Sequence, residues 1–135
     1  MIFIDTGAFI ALWVDHDGRH SAAEAALAAL REERARLFTS NFVLDEAVTH
    51  VGRFAGAKFV AEQARNILDS KAITMLRPDE EDERSALVLY EKYADQRLSF
   101  TDAVSLALMR RHRIKRAFTF DAHFAYAGFS LWPRG

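Results

Sequence analysis

Four acids far apart in the chain, Asp5, Glu46, Asp102 and Asp121, stand where a fold can gather their carboxylates. Asp5 follows Ile2-Phe3-Ile4, an apolar run that reads as a strand buried on both faces and ended by Asp5-Thr6-Gly7. In open parallel α/β sheets, ligands bind beyond the carboxyl ends of the strands, so a carboxylate there is placed for chemistry. Asp121 repeats the pattern after Phe118-Thr119-Phe120. Asp102 lies three residues after Ser99 at the start of a helix, and Glu46 lies in the first turns of another. Carboxylates brought into one crevice repel one another, and either take up protons or hold a cation. A hard divalent ion with oxygen ligands, Mg²⁺ or Mn²⁺, suits such a cluster. One or two such ions can activate a water and stabilise an in-line displacement at phosphorus.

Each acid also has an ordinary structural use. Asp5 and Asp121 suit turns and helix N-caps, Asp121 for a helix over 122–127. No Lys or Arg lies near Asp5 in the sequence, however, and a semi-buried carboxylate needs a partner. Ser99-Phe100-Thr101-Asp102 approximates a capping box. An isolated helical Glu is normally solvated, yet Phe42, Glu46, His50 and Arg53 share one helical face, a mixed stripe unusual for plain surface. Asp45 points about 100° away and stays a rival to Glu46. The run Asp79 to Glu83 reads as a solvated helix start at the positive end of the dipole rather than a metal site. The basic run Arg110 to Arg116 reads likewise as a helix end, and His123 as a packed or exposed helix residue rather than a ligand. Phe54, Phe59 and Trp13 read as core or interface residues rather than platforms for stacking bases.

The elements that must position the acids alternate. Strands are expected over 2–4, 37–39, 73–76, 117–120 and 129–132. A helical turn or two over 7–14 and helices over 20–34, 42–54, 58–69, 79–93, from Ser99 onward and over 122–127 fill the intervals. Ser40 and Asn41 both suit the N-cap of the third helix. Such alternation argues for a parallel sheet with helices on both faces. No repeat or linker interrupts the 135 residues, which are read as one domain over 1–135.

Apolar residues make up 50% of the chain and eleven are Phe, so a substantial core is expected and disorder is not. The formal charge of −1 leaves no global basic footprint, so any nucleic-acid surface must be local. Without cysteine there is no disulfide, thiolate zinc site or cysteine nucleophile. The N-terminus lacks the pattern of a signal peptide and no apolar run spans a bilayer, so a soluble, cytoplasmic protein is expected.

The motifs Ile4-Asp5-Thr6, Asn41-Phe42-Val43-Leu44-Asp45-Glu46, Ser99-Phe100-Thr101-Asp102 and Thr119-Phe120-Asp121-Ala122-His123-Phe124, in this order, resemble the PIN-domain ribonucleases. The VapC-type toxins of toxin–antitoxin pairs are most similar, and the likeness covers the whole chain. The resemblance implies a three-layer α/β/α sandwich with a central, mostly parallel five-stranded sheet. It also implies a Mg²⁺- or Mn²⁺-dependent endoribonuclease, usually a homodimer, held inactive by a cognate antitoxin. It identifies Asp5, Glu46, Asp102 and Asp121 with the family's acidic quartet, choosing Glu46 over Asp45, and Thr6 with its supporting hydroxyl. RNA that is single-stranded or looped is the expected substrate, since unstacked strands can enter a crevice. His50, Arg53, Lys58 and Arg65 are the expected RNA-binding residues. Two other readings are open. Asp5-Thr6-Gly7 also resembles the signature of aspartic proteases, which are all-β. The same fold, with its acids acting only as caps, would be a non-catalytic RNA-binding or regulatory module.

Overall fold

β1 (Ile2–Ile4) is the axis of the sheet, and its three side chains are at most 1% exposed. Successive strand side chains point to opposite faces, so complete burial requires cover on both. The structure, a computed structural model, describes residues 1–134. After β1 come α1 (Thr6–Trp13), α2 (His20–Glu32), β2 (Leu37–Ser40), α3 (Asn41–Ala55), α4 (Ala57–Asp69) and β3 (Ile73–Leu76). Then follow α5 (Glu80–Lys92), a 3-10 turn (Ala94–Gln96), α6 (Phe100–Arg111), β4 (Arg116–Phe118), α7 (His123–Tyr126) and β5 (Ser130–Trp132). The strands form one sheet in the order β3-β2-β1-β4-β5. All pairings are parallel, with Phe3 beside Phe38 and Ala117, and Ile4 beside Phe118.

This order has one reversal. The chain builds outward from β1 through β2 to β3, then returns to place β4 and β5 on the other side of β1. The carboxyl ends of β1 and β4 therefore flank the switch point, where crossovers leave in opposite directions and a crevice opens. Phe3, Phe9, Phe118 and Phe124 are fully buried around it. Among the described residues, no helix is long and apolar enough to cross a membrane.

Three expectations need correction. β4 ends at Phe118, so Thr119 and Phe120 are a turn and Asp121 is not the strand's last residue. Thr119 still donates its backbone N–H to Trp132 O at 3.1 Å, but its hydroxyl turns toward β1 and the chain leaves the ladder there. The segment after Asp121 is a single turn of helix, with Ala122 rather than Asp121 at the N-cap. The acidic run at the start of α5 is not wholly solvated. Asp79 caps the helix in a capping box with Asp82, and Asp82 is buried. Arg111 is the reason: its Nε and Nη2 donate to the two Asp82 oxygens at 2.7 and 2.8 Å, tying α5 to the end of α6. Of the residues expected in the core or at an interface, Phe54 and Phe59 are exposed.

Burial alone would raise the Asp82 carboxyl, but the hydrogen bonds from Arg111 and from the Asp79 backbone outweigh it and hold the group below its ordinary value. A depressed carboxyl stabilises the fold above the unfolded value near 4, and that contribution is lost as pH falls through the folded value. Arg111→Met strands a buried charge. The guanidinium is half exposed and partly screened, so the expected cost is about 2 kcal/mol near neutral pH. Urea unfolding should show that cost, and should show it shrinking below about pH 4.

Candidate active site

Asp5 is held by backbone bonds on both sides. Its N–H donates to Phe118 O at 3.0 Å, and its carbonyl accepts from Ala8 N at 3.2 Å. It stands at the N-cap position of α1, yet its carboxylate makes no capping bond. Instead Oδ2 accepts from the Thr119 hydroxyl at 2.9 Å, across the β1–β4 seam. Oδ1 is buried with no hydrogen-bond partner among the described residues, and the neighbouring Thr6 hydroxyl is in the same condition. Burial, then the charge of Asp102, push the Asp5 carboxyl up to about 7, against the pull of the Thr119 hydrogen bond.

The other three acids face the same crevice from separate elements. Ser40 caps α3 by accepting from Val43 N at 3.2 Å, which sets the phase of the helix. Glu46 then lines the crevice half-buried, while Asp45 is exposed and does not line it. Asp102 is a true capping-box residue: Ser99 Oγ accepts from its N–H at 3.0 Å, and its Oδ2 accepts from Ser99 N at 3.2 Å. The structural use of this acid is therefore real. It does not exclude a second use, because a capping carboxylate at the N-terminus of α6 is delivered to the crevice by the helix it caps. Burial chiefly, with the charges of Asp121 and Glu46, raises the Asp102 carboxyl above its usual value, against the hydrogen bonds from Ser99.

Asp121 is positioned by the turn it occupies. Its N–H donates to Thr119 Oγ1 at 3.0 Å, and its Oδ1 accepts from His123 N at 2.9 Å. The same Thr119 hydroxyl thus spans Asp5 and the backbone of Asp121. His123 was expected apart from the site, but its Nδ1 lies 3.0 Å from Asp121 Oδ2 and 3.9 Å from Asp102 Oδ2. Asp102, Asp121 and His123 each offer a ligand atom, all within 4.8 Å of one another.

Together Asp5, Glu46, Asp102 and Asp121 line one open cleft of about 490 Å³ at the switch point, with Thr6 and Thr119. The donor set is carboxylate and hydroxyl oxygen, with an orphaned buried oxygen on Asp5, and it fits a hard divalent cation. His50, Arg53, Lys58 and Arg65 are exposed but none lines this cleft. Their place explains it: Arg53 is two turns, roughly 10 Å, further along α3 than Glu46, and the other two cations sit on α4 beyond Gly56. The cation that does line the cleft is Arg19, which was not among the candidates read from the sequence.

Comparison with known proteins agrees with this arrangement. A PIN domain family model matches residues 2–130. The 23S rRNA-specific endonuclease VapC20 of Mycobacterium tuberculosis is 33% identical over 129 residues, spanning 96% of this chain and 95% of that protein. A VapC ribonuclease of Archaeoglobus fulgidus is 27% identical over 126 residues, spanning 90% and 78%. The crystal structure of VapC20, described as a sarcin–ricin loop cleaving toxin, superposes with a TM-score of 0.86 at 31% identity over 96% of both chains. A toxin–antitoxin complex from Klebsiella pneumoniae matches in fold, with a TM-score of 0.66 at 19% identity over 95% and 92%.

The raised Asp5 carboxyl has a sign that can be checked. Its folded value of about 7 lies above the ordinary 3.8, so between these pH values the folded chain keeps a proton that the unfolded chain releases. Metal-free stability therefore falls as pH rises through that window. Asp5→Asn cannot ionise and escapes the loss. In EDTA, its melting temperature relative to wild type should rise by about 5 °C between pH 5 and pH 8, read by calorimetry.

Proposed function

Because this chain belongs to the PIN domain family, we propose that it is a metal-dependent endoribonuclease and the toxin of a toxin–antitoxin pair. The observation that carries the reading is the convergence of Asp5, Glu46, Asp102 and Asp121 on one cleft, with a buried Asp5 oxygen left unpaired. Asp5 and Asp102 would hold a Mg²⁺ or Mn²⁺ ion, with Glu46 and Asp121 joining directly or through water. When bound, such an ion lowers the pKa of water and offsets the charge that develops at phosphorus.

The chain's own residues have separable tasks. Thr119 fixes the rotamer of Asp5 and the turn that carries Asp121. Ser99 and the first turn of α6 fix Asp102. His123 holds Asp121 through its backbone N–H and Nδ1, a positioning role. The Thr6 hydroxyl, beside Asp5 and without a partner among the described residues, is available to orient a water. The cleft is open, which suits a strand or loop of RNA rather than a small metabolite.

The substrate proposed first is the 23S rRNA loop named for the relative, since similarity to VapC20 extends over nearly the whole of both chains. The partners proposed are a cognate antitoxin and a second copy of the chain. Exposed apolar side chains, among them Phe54, Val88 and Tyr126, are surface that such partners would cover.

The test is cleavage of ribosomal RNA and of a mixed RNA pool by the purified protein, with Mg²⁺ or Mn²⁺ and with EDTA. Cleavage should require the metal and fall at least about 100-fold in Asp5→Asn. Cleavage that survives EDTA, or that is equal in Asp5→Asn, would contradict the assignment.

A further inference from the structure

Arg19 is the one basic side chain, among the described residues, that lines the acidic cleft. Its backbone is pinned, since its N–H donates to Asp17 Oδ1 at 2.8 Å and the next residue, His20, sets its Nδ1 2.8 Å from Ala11 O. Its guanidinium lies over the Phe120 ring, 5.0 Å from the centroid, and Nη1 donates to the Phe120 carbonyl at a long 3.5 Å. A stabilising arginine beside four carboxylates would neutralise one of them. Arg84, Arg111 and Arg116 do so with Glu80, Asp82 and Glu33. Arg19 enters no ion pair among the described residues and stays exposed, although it borders the densest negative charge of the cleft.

A guanidinium presents five N–H donors in a planar fork matched to phosphate, and here only one is engaged, weakly. Stacking on Phe120 holds the side chain at the rim without using the fork. An RNA strand brings further negative charge into a cleft that is already negative. A cation held by the acids would answer the reacting phosphate, and the strand beside it needs a positive group of its own. We propose that Arg19 grips a backbone phosphate next to the scissile one, with Phe120 as its rest, and so seats the strand over the acids. This rests on the nuclease reading. Phosphate contacts position a strand without reading its sequence, so the effect should be common to all RNAs the protein cuts.

The experiment compares wild type, Arg19→Ala and Arg19→Lys in two assays. In the first, binding of short single-stranded RNA is followed against salt in the Asp5→Asn background, where no turnover is needed. Arg19→Ala should weaken binding about tenfold and reduce the log–log salt slope by about 0.7, the share of one phosphate on a single strand. Arg19→Lys should keep the slope but recover only part of the affinity, since it retains the charge and loses the fork. In the second assay, steady-state cleavage with Mn²⁺, Arg19→Ala should raise KM about tenfold and change kcat little, with Mn²⁺ affinity by calorimetry unchanged. An unchanged salt slope, a loss confined to kcat, or no RNA binding by the parent protein would each overturn the proposal. RNA binding with the expected slope change but no cleavage by wild type would uphold Arg19 as a phosphate contact and sink the nuclease reading, and with it the placement beside a scissile bond.

Discussion

A carboxylate buried at the end of the central strand is the constraint on which the rest of the structure depends. Asp5 is 3% exposed, has Asp102 and Asp121 as charged neighbours, and enters no ion pair among the described residues. A fold pays for such an arrangement only where something else supplies the positive charge, or where the acid stays protonated. The neighbourhood is built to keep the acid there: Thr119 bonds one oxygen, the backbone of β4 holds its N–H, and the helix after it leaves its carboxylate uncapped.

The remaining elements serve that placement. The reversal of strand order beside β1 opens the crevice, and β4 on the far side of it brings Thr119 within reach of Asp5. Two capping boxes define α5 and α6, and Asp82 with Arg111 clamps the one helix to the other. The clamp lies at the opposite end of α6 from Asp102, so it steadies the helix that delivers that acid without touching the cleft. The conflict between structural and functional use of an acid, which motif reading poses as a choice, dissolves at Asp102: it caps α6 through Oδ2 and faces the other acids from the same position.

What could be read from the residues was whatever depends on near neighbours in the chain. The apolar run Ile2–Ile4 marked β1, Ile73–Leu76 marked β3, and Ser99 with Asp102 marked the start of α6. Glu46 could be separated from Asp45 only through family resemblance, because its phase depends on which of two capping residues starts α3, and Ser40 does. Long-range pairings were not legible. Thr119 meets Asp5 across 114 residues, and Arg19 meets Phe120 across 101. The burial of Asp82 depends on an arginine 29 residues away, and without that partner an acidic run at a helix start properly reads as solvated. The basic residues of α3 and α4 show how short the reach of sequence proximity is. Closeness to Glu46 in sequence suggested closeness to the site, but two helical turns are enough to take Arg53 out of the cleft.

A divalent cation that completes the buried Asp5 carboxylate, as proposed, would make the stability of the fold depend on metal. The most direct measurement is the shift in melting temperature on adding Mn²⁺ at pH 8, for wild type and for Asp5→Asn. A cation that binds only the folded chain stabilises it in proportion to its occupancy. The melting temperature should rise clearly for wild type and little or not at all for Asp5→Asn. Equal shifts in the two proteins, or none in wild type at millimolar metal, would contradict the proposal.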